Sequence, residues 1–199
     1  MSRASKAIVA AASLALLVLV GLFAYVKSHP LVFNESLWEH AHCMPQAGGA
    51  LMSYAQEHAG QFPYSTNGWG DALLMLTPTR SWFYFINGPS YDDSAFEEAF
   101  VPGGNVDETR CGRVYVQGLS ETSNPELVIL FDRVAAPPDH CHFPLRLWAG
   151  FVREVCFVDG SWRAVPVESW DTFAQKQIDM LVEAGFARQD AEQIYSEVR

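Results

Sequence analysis

The sequence predicts an α+β protein: an N-terminal transmembrane helix continuing into an interrupted helical stem, packed on an antiparallel β-meander, with C-terminal helices. Three observations predict it. Residues 7–26 are an uncharged run of 20 residues flanked by Arg3 and Lys6, long enough to cross a bilayer as one helix. Between residues 64 and 168, short β-branched and aromatic runs alternate with Gly, Pro, Asn and Asp clusters, the pattern of strands and turns. On both sides of that region apolar residues recur at three- and four-residue intervals, as on amphipathic helices. The expected divisions are a cytoplasmic tail at 1–6, the anchor at 7–26, the stem at 30–63, the sheet head at 64–168 and a helical cap at 169–199.

The anchor comes first. Basic residues on its short side and an acidic domain beyond it predict a cytoplasmic N-terminus and a periplasmic or extracellular remainder. A cleaved signal peptide is the competing reading, but its apolar core is normally shorter, and Ala24 is preceded by Leu22 where a cleavage site requires a small residue. Residues 1–29 hold three of the 13 basic residues and none of the 23 acidic ones, which leaves the rest of the chain at −13. A domain so acidic is not expected to bind nucleic acid or an anionic membrane surface.

In the stem, Leu37, Trp38, Ala41, Ala47, Ala50, Leu51, Tyr54, Ala55 and His58 share a helical period. Pro45 must kink or restart that helix, Gly48 and Gly49 weaken it, and Gly60 stops it. In the head, strands are expected at 81–86, 113–117 and 126–131. The clearest is a hairpin, 151–158 and 161–167, joined by Asp159-Gly160, the pair preferred in a two-residue type I′ turn. The intervening loop 87–110 carries Asp92, Asp93, Glu97, Glu98, Asp107 and Glu108. It reads as a solvated excursion or a calcium or partner loop, without the spacing of an EF-hand. In the cap, Trp170, Phe173, Ala174, Ile178 and Leu181 form one stripe ending at Gly185, and Ala191, Ile194, Tyr195 and Val198 form another.

Cys43, Cys111, Cys141 and Cys156 are an even set of thiols, which in an oxidising compartment favours one or two disulfides. Sequence leaves the pairing open. The same residues offer a metal alternative, because His40, His42 and Cys43 form one cluster and His140, Cys141 and His142 another. On an extended segment His140 and His142 share a face and could bind zinc or copper, with Cys141 or Cys43 as thiolate ligands. Asp132 and Asp159 can be weighed as paired carboxylates for glycoside or proton-transfer chemistry, and Trp148, Trp162 and Trp170 as a sugar-stacking patch. No nucleophile elbow, zinc-protease motif, Cys-x-x-Cys or phosphate loop occurs. The expectation is a protein that is not an enzyme, with no catalytic residues and no cofactor; a secreted enzyme or sugar binder is the alternative.

The stretch 50–63, Ala-Leu-Met-Ser-Tyr-Ala-Gln-Glu-His-Ala-Gly-Gln-Phe-Pro, followed by Asn67-Gly-Trp-Gly-Asp-Ala-Leu73, resembles the stem-to-head junction of bacterial pseudopilin-like proteins, including the major pseudopilin of type II secretion. The strings 125–132 and 154–160 resemble the end of the pilin-like families of planctomycete-type bacteria, where a strand ending in Asp precedes a strand-Asp-Gly-strand hairpin. The two motifs frame residues 43–167. The resemblance implies a long N-terminal helix on an antiparallel sheet, with envelope assembly or display and protein partners there. The prepilin peptidase motif is lacking, since residues 1–15 contain neither Gly nor an acidic residue. A singly anchored domain is therefore expected rather than a filament subunit, held to lipid through residues 7–26 and capable of oligomerising, with Asp159 and Gly160 shaping the hairpin and the cysteines bridging.

Overall fold

A computed structural model describes residues 16–18, 20–21, 44–76, 106–136 and 150–196. The chain divides into two compact units, Met1–Glu35 and Ser36–Arg199. In the first, residues 16–18, 20 and 21 are helical. Leu16, Leu17, Val18 and Val20 are 58–69% exposed there. Among the described residues no helix is long and apolar enough to cross a membrane; most of the expected anchor, 7–26, lies outside them.

The second unit is built on a four-stranded antiparallel meander, β1 (Arg113–Tyr115), β2 (Val128–Asp132), β3 (Val152–Phe157) and β4 (Trp162–Pro166), in that spatial order. The α+β class and the meander are as the sequence predicts. Successive strand residues face opposite sides of a sheet, and here each side is covered. Helix α1 (Met44–Glu57) lies on the face carrying Cys156, and Met44, Ala47, Leu51 and Ala55 are its buried stripe. Helices α3 (Trp170–Glu183) and α4 (Arg188–Ser196) lie on the face carrying Phe131, whose ring centroid is 5.5 Å from Trp170 and 5.0 Å from Tyr195. The result is a helix, sheet, helix sandwich whose core runs through both interfaces.

Local chemistry explains the elements. Pro45 sits in the first turn of α1, where its missing N–H has no partner to lose. Gly48 marks the closest approach of α1 to the sheet: a Cβ there would stand 2.7 Å from Cys156 Sγ, whereas one at Gly49 would meet nothing within 4 Å. The helix ends at Glu57, and the turn that follows closes at Gly60, the expected stop, whose N–H donates to Ala55 O at 2.8 Å. Helix α3 closes on a Schellman pair, Phe186 N–H to Leu181 O and Gly185 N–H to Val182 O, both at 3.0 Å. The expected cap stripe is buried, at 0–9% exposure for Trp170, Phe173, Ala174, Ile178 and Leu181.

Two features depart from the sequence expectation. The region 64–168 is not purely sheet and turn, because it contains a helix, α2 (Trp69–Leu74), and a 3-10 turn, Glu108–Arg110. The Gly70 N–H in the first turn of α2 donates to Glu108 Oε1 at 2.8 Å, so that helix start is satisfied from 38 residues away, beyond any local signal. The β3–β4 turn is also not type I′. Gly160 has φ +79°, Asp159 is not among the residues of positive φ, and Gly160 N–H bonds Phe157 O at 2.9 Å while Phe157 N–H bonds Ser161 O at 2.8 Å. That is a type I turn closed by a glycine bulge. Asp159 Oδ1 accepts from Ser161 N–H at 2.8 Å, which favours the turn without a left-handed aspartate. The expected strand 81–86, the stem residues 30–43 and Val198 lie outside the described residues.

Candidate functional site

The densest polar chemistry lies where β1, β2 and β3 meet. Arg113 pairs in register with Asp132, and its Nε stands 2.9 Å from Asp132 Oδ1, both side chains being buried. Asp132 Oδ2 accepts from the Glu154 N–H at 3.0 Å. From β3, Arg153 donates to the carbonyl oxygens of Asp132 and Arg133 and lies with its guanidinium 5.0 Å from the Trp170 ring centroid. Arg133 in turn donates to Cys111 O at 2.9 Å and Glu108 O at 2.8 Å. Burial pushes the Asp132 carboxyl above its ordinary value, against the opposing pull of Arg113, the Glu154 amide and Arg153. These charges are consumed in holding strands and the 108–111 segment together; 4% exposure of Asp132 leaves a substrate no access to it.

Topology also separates the carboxylates weighed as a catalytic pair. Asp132 ends β2, whereas Asp159 follows Phe157, the partner of Val128 at the opposite end of β2. Four residues of strand span about 13 Å, beyond the separation of about 5 to 10 Å that glycoside hydrolysis requires. The tryptophan patch is not formed as expected either. Trp162 pairs with Cys156 and is 43% exposed, while Trp170 is 5% exposed under Phe131 on the other face of the sheet; Trp148 lies outside the described residues.

Cys111 and Cys156 are free and buried, which departs from the bridging expected of all four cysteines. Their positions give the reason: Cys156 Sγ fills the space left by Gly48, and Cys111 Sγ points back at Asp107 O, 3.7 Å away. Burial pushes both thiols up to about 12, so neither is a nucleophile near neutral pH. Cys43, His140, Cys141 and His142 lie outside the described residues, and among the described ones no group of three or more His, Cys, Asp or Glu is placed to hold a metal. From the acidic loop, Asp107 caps the 3-10 turn, accepting from Thr109 N–H at 3.1 Å and Thr109 Oγ1 at 2.6 Å, and Glu108 caps α2. Both are structural.

Among the described residues an open cleft lies between β4 and α3, and sequence reading passed over it. Arg163 is exposed on β4, with its guanidinium carbon 5.0 Å from the Phe157 ring centroid and 5.1 Å from that of Phe173. Clefts of about 360 Å³ and about 520 Å³ both include Arg163 and Lys176 in their walls. Lys176 reaches Glu126 Oε2 at 2.9 Å across the rim, and that contact, aided by the charge of Arg163, holds the Glu126 carboxyl below its ordinary value. The only sequence signal for this surface is a cation at an alternating position of a strand preceding an amphipathic helix. The arrangement can bind an anion and can lay a chain alongside a sheet edge. Comparison with protein-family models, with curated proteins and with solved structures gave no match.

Proposed function

We propose that this chain is a membrane-anchored, exported, pilin-like structural and interaction protein of the cell envelope, acting in secretion or surface assembly. The observation that carries the reading is the uncharged run 7–26, whose residues Leu16, Leu17, Val18 and Val20 are helical with most of their apolar surface uncovered. Exposed apolar surface of that kind is stabilised in lipid, not water. Arg3 and Lys6 favour a cytoplasmic N-terminus and export of the acidic unit. The head supports an interaction role, because its buried charges and thiols are used in packing while its open groove and sheet edge face solvent.

Alkaline carbonate extraction of membranes from cells making the full chain tests the anchor. The wild type should remain with the membrane pellet, and a chain deleted for residues 7–26 should move to the supernatant. Release of the full-length wild type by carbonate would overturn the reading.

A further inference from the structure

Among the described residues strand β4 is an edge of the sheet, and the register determines what it offers. Phe157 with Ser161 and Phe151 with Val167 are hydrogen-bonded positions. The alternation of an antiparallel ladder therefore turns the backbone N–H and C=O groups of Trp162 and Ala164 away from β3. Pro166, with no N–H, ends the stretch. Between these two residues Arg163 points to the α3 face, its guanidinium held between Phe157 and Phe173. Ring stacking leaves the N–H edges of a guanidinium free for a carboxylate. No carboxylate of the described residues bonds it, although the chain holds 23 acidic residues. Val165, Pro166 and Phe173 continue the groove as apolar wall, and Glu168 and Lys176 also line it, Lys176 being paired with Glu126, so that Arg163 is the cation the groove offers a carboxylate.

We propose that this groove docks an extended acidic segment from a second copy of the chain, residues 90–100, as an added strand beside β4. The inference names a contact for the assembly reading above and rests on it for the presence of a neighbouring copy. The segment has the required chemistry. It carries Asp92-Asp93 and Glu97-Glu98 with Tyr91, Phe96 and Phe100 between and around them. Because side chains alternate along a strand, each adjacent acidic pair places one carboxylate on the α3 face in either register. That carboxylate meets Arg163 as an opposite-charge cross-strand neighbour, while the main chain pairs with Trp162 and Ala164 as in β-augmentation. The two surfaces differ, so the contact is head-to-tail and extends from copy to copy.

The test uses the full chain in detergent with its own Asp92, Asp93, Glu97 and Glu98 changed to Asn or Gln, which keeps its groove unoccupied. A fluorescein-labelled peptide of residues 87–101 is titrated and its anisotropy followed at low salt. Saturable binding is expected, weakened about tenfold or more by Arg163→Gln and less by Arg163→Lys, and abolished when the four peptide acids are neutralised. Unchanged melting temperatures of both variants show that folding is not the cause. Absence of saturable binding, or equal affinity of wild type and Arg163→Gln, would overturn the proposal. The titration is indifferent to where the chain resides in the cell, so its failure would leave the membrane reading standing, and release of the chain by carbonate would leave the titration unaffected.

Discussion

Gly48 and Gly49 are neighbours in the same helix with opposite demands upon them. Against Gly48 stands a sulfur at 2.7 Å from a would-be Cβ, and against Gly49 open space. Gly48→Ala should therefore destabilise the head by about 1–3 kcal/mol through overpacking. Gly49→Ala should stabilise it by about 0.5–1 kcal/mol through helix propensity. Urea unfolding midpoints of the two variants measure the contrast; equal shifts of the same sign would mean that α1 does not approach β3 so closely. The buried Arg113–Asp132 pair makes a second residue-scale prediction. Asp132→Asn removes the countercharge of a buried guanidinium and should cost about 3–5 kcal/mol, whereas replacing both partners by apolar residues of similar volume should recover much of that loss. A double-mutant cycle by chemical denaturation separates the two. The thiols make a third. In the unfolded chain Cys111 and Cys156 ionise near their ordinary 9.0, in the folded one only near about 12. The unfolded state thus releases protons first, and stability falls as pH rises above 9, by on the order of 2 kcal/mol per thiol at about pH 10.5. Tyr115 and Tyr195, pushed up by burial, act in the same sense at higher pH. Changing both cysteines to Ala should flatten the slope of stability against pH in that range.

At the scale of elements, the β3–β4 hairpin and the α3 cap were legible because their signals are local. Alternation, a Gly at the turn and a 3.6-residue stripe ending in Gly185 each lie within a few residues of what they specify. The turn type was not legible, since Asp-Gly suits both a type I′ turn and a type I turn with a glycine bulge, and the choice is made by pairing of Phe157 with Ser161. Helix α2 was hidden because its cap comes from Glu108. Gln177 was hidden for a similar reason: a polar residue within an apolar stripe, it accepts from Val128 N–H at 2.9 Å and donates to Glu126 O at 3.0 Å. It thus serves the backbone where the β2–β3 register shifts between Val128 and Leu130. The Arg163 groove was illegible because Phe157 and Phe173 meet the cation only in three dimensions. Gly160→Ala should cost about 1–2 kcal/mol, because φ of +79° is strained for any residue with a Cβ. Gln177→Leu should cost about 1–3 kcal/mol by leaving the buried Val128 N–H unpaired, with a smaller loss at the part-buried Glu126 carbonyl. Thermal melts of both variants check these values, and a neutral Gln177→Leu would mean that α3 does not contribute to the sheet's hydrogen bonding.

For the whole molecule, the physical account joins an uncharged N-terminal run to a sandwich in which, among the described residues, Arg113 and Asp132 pair in the interior, the Arg153 Nε atom and the Tyr195 hydroxyl are buried without a hydrogen-bond partner, and the β4 edge faces solvent. The head buries Arg113 and Asp132 as an ion pair, and a net charge of −13 over residues 30–199 disfavours contact with nucleic acid or anionic lipid. The role proposed for it is one of position and contact. The most direct test of that claim is protease treatment of intact, right-side-out cells or spheroplasts carrying the full chain, followed by mass spectrometry of the membrane-bound remainder. The account predicts that external protease removes the head and leaves a membrane-held fragment containing residues 7–26. A head protected until the membrane is lysed, or a head found free in the medium without those residues, would contradict it.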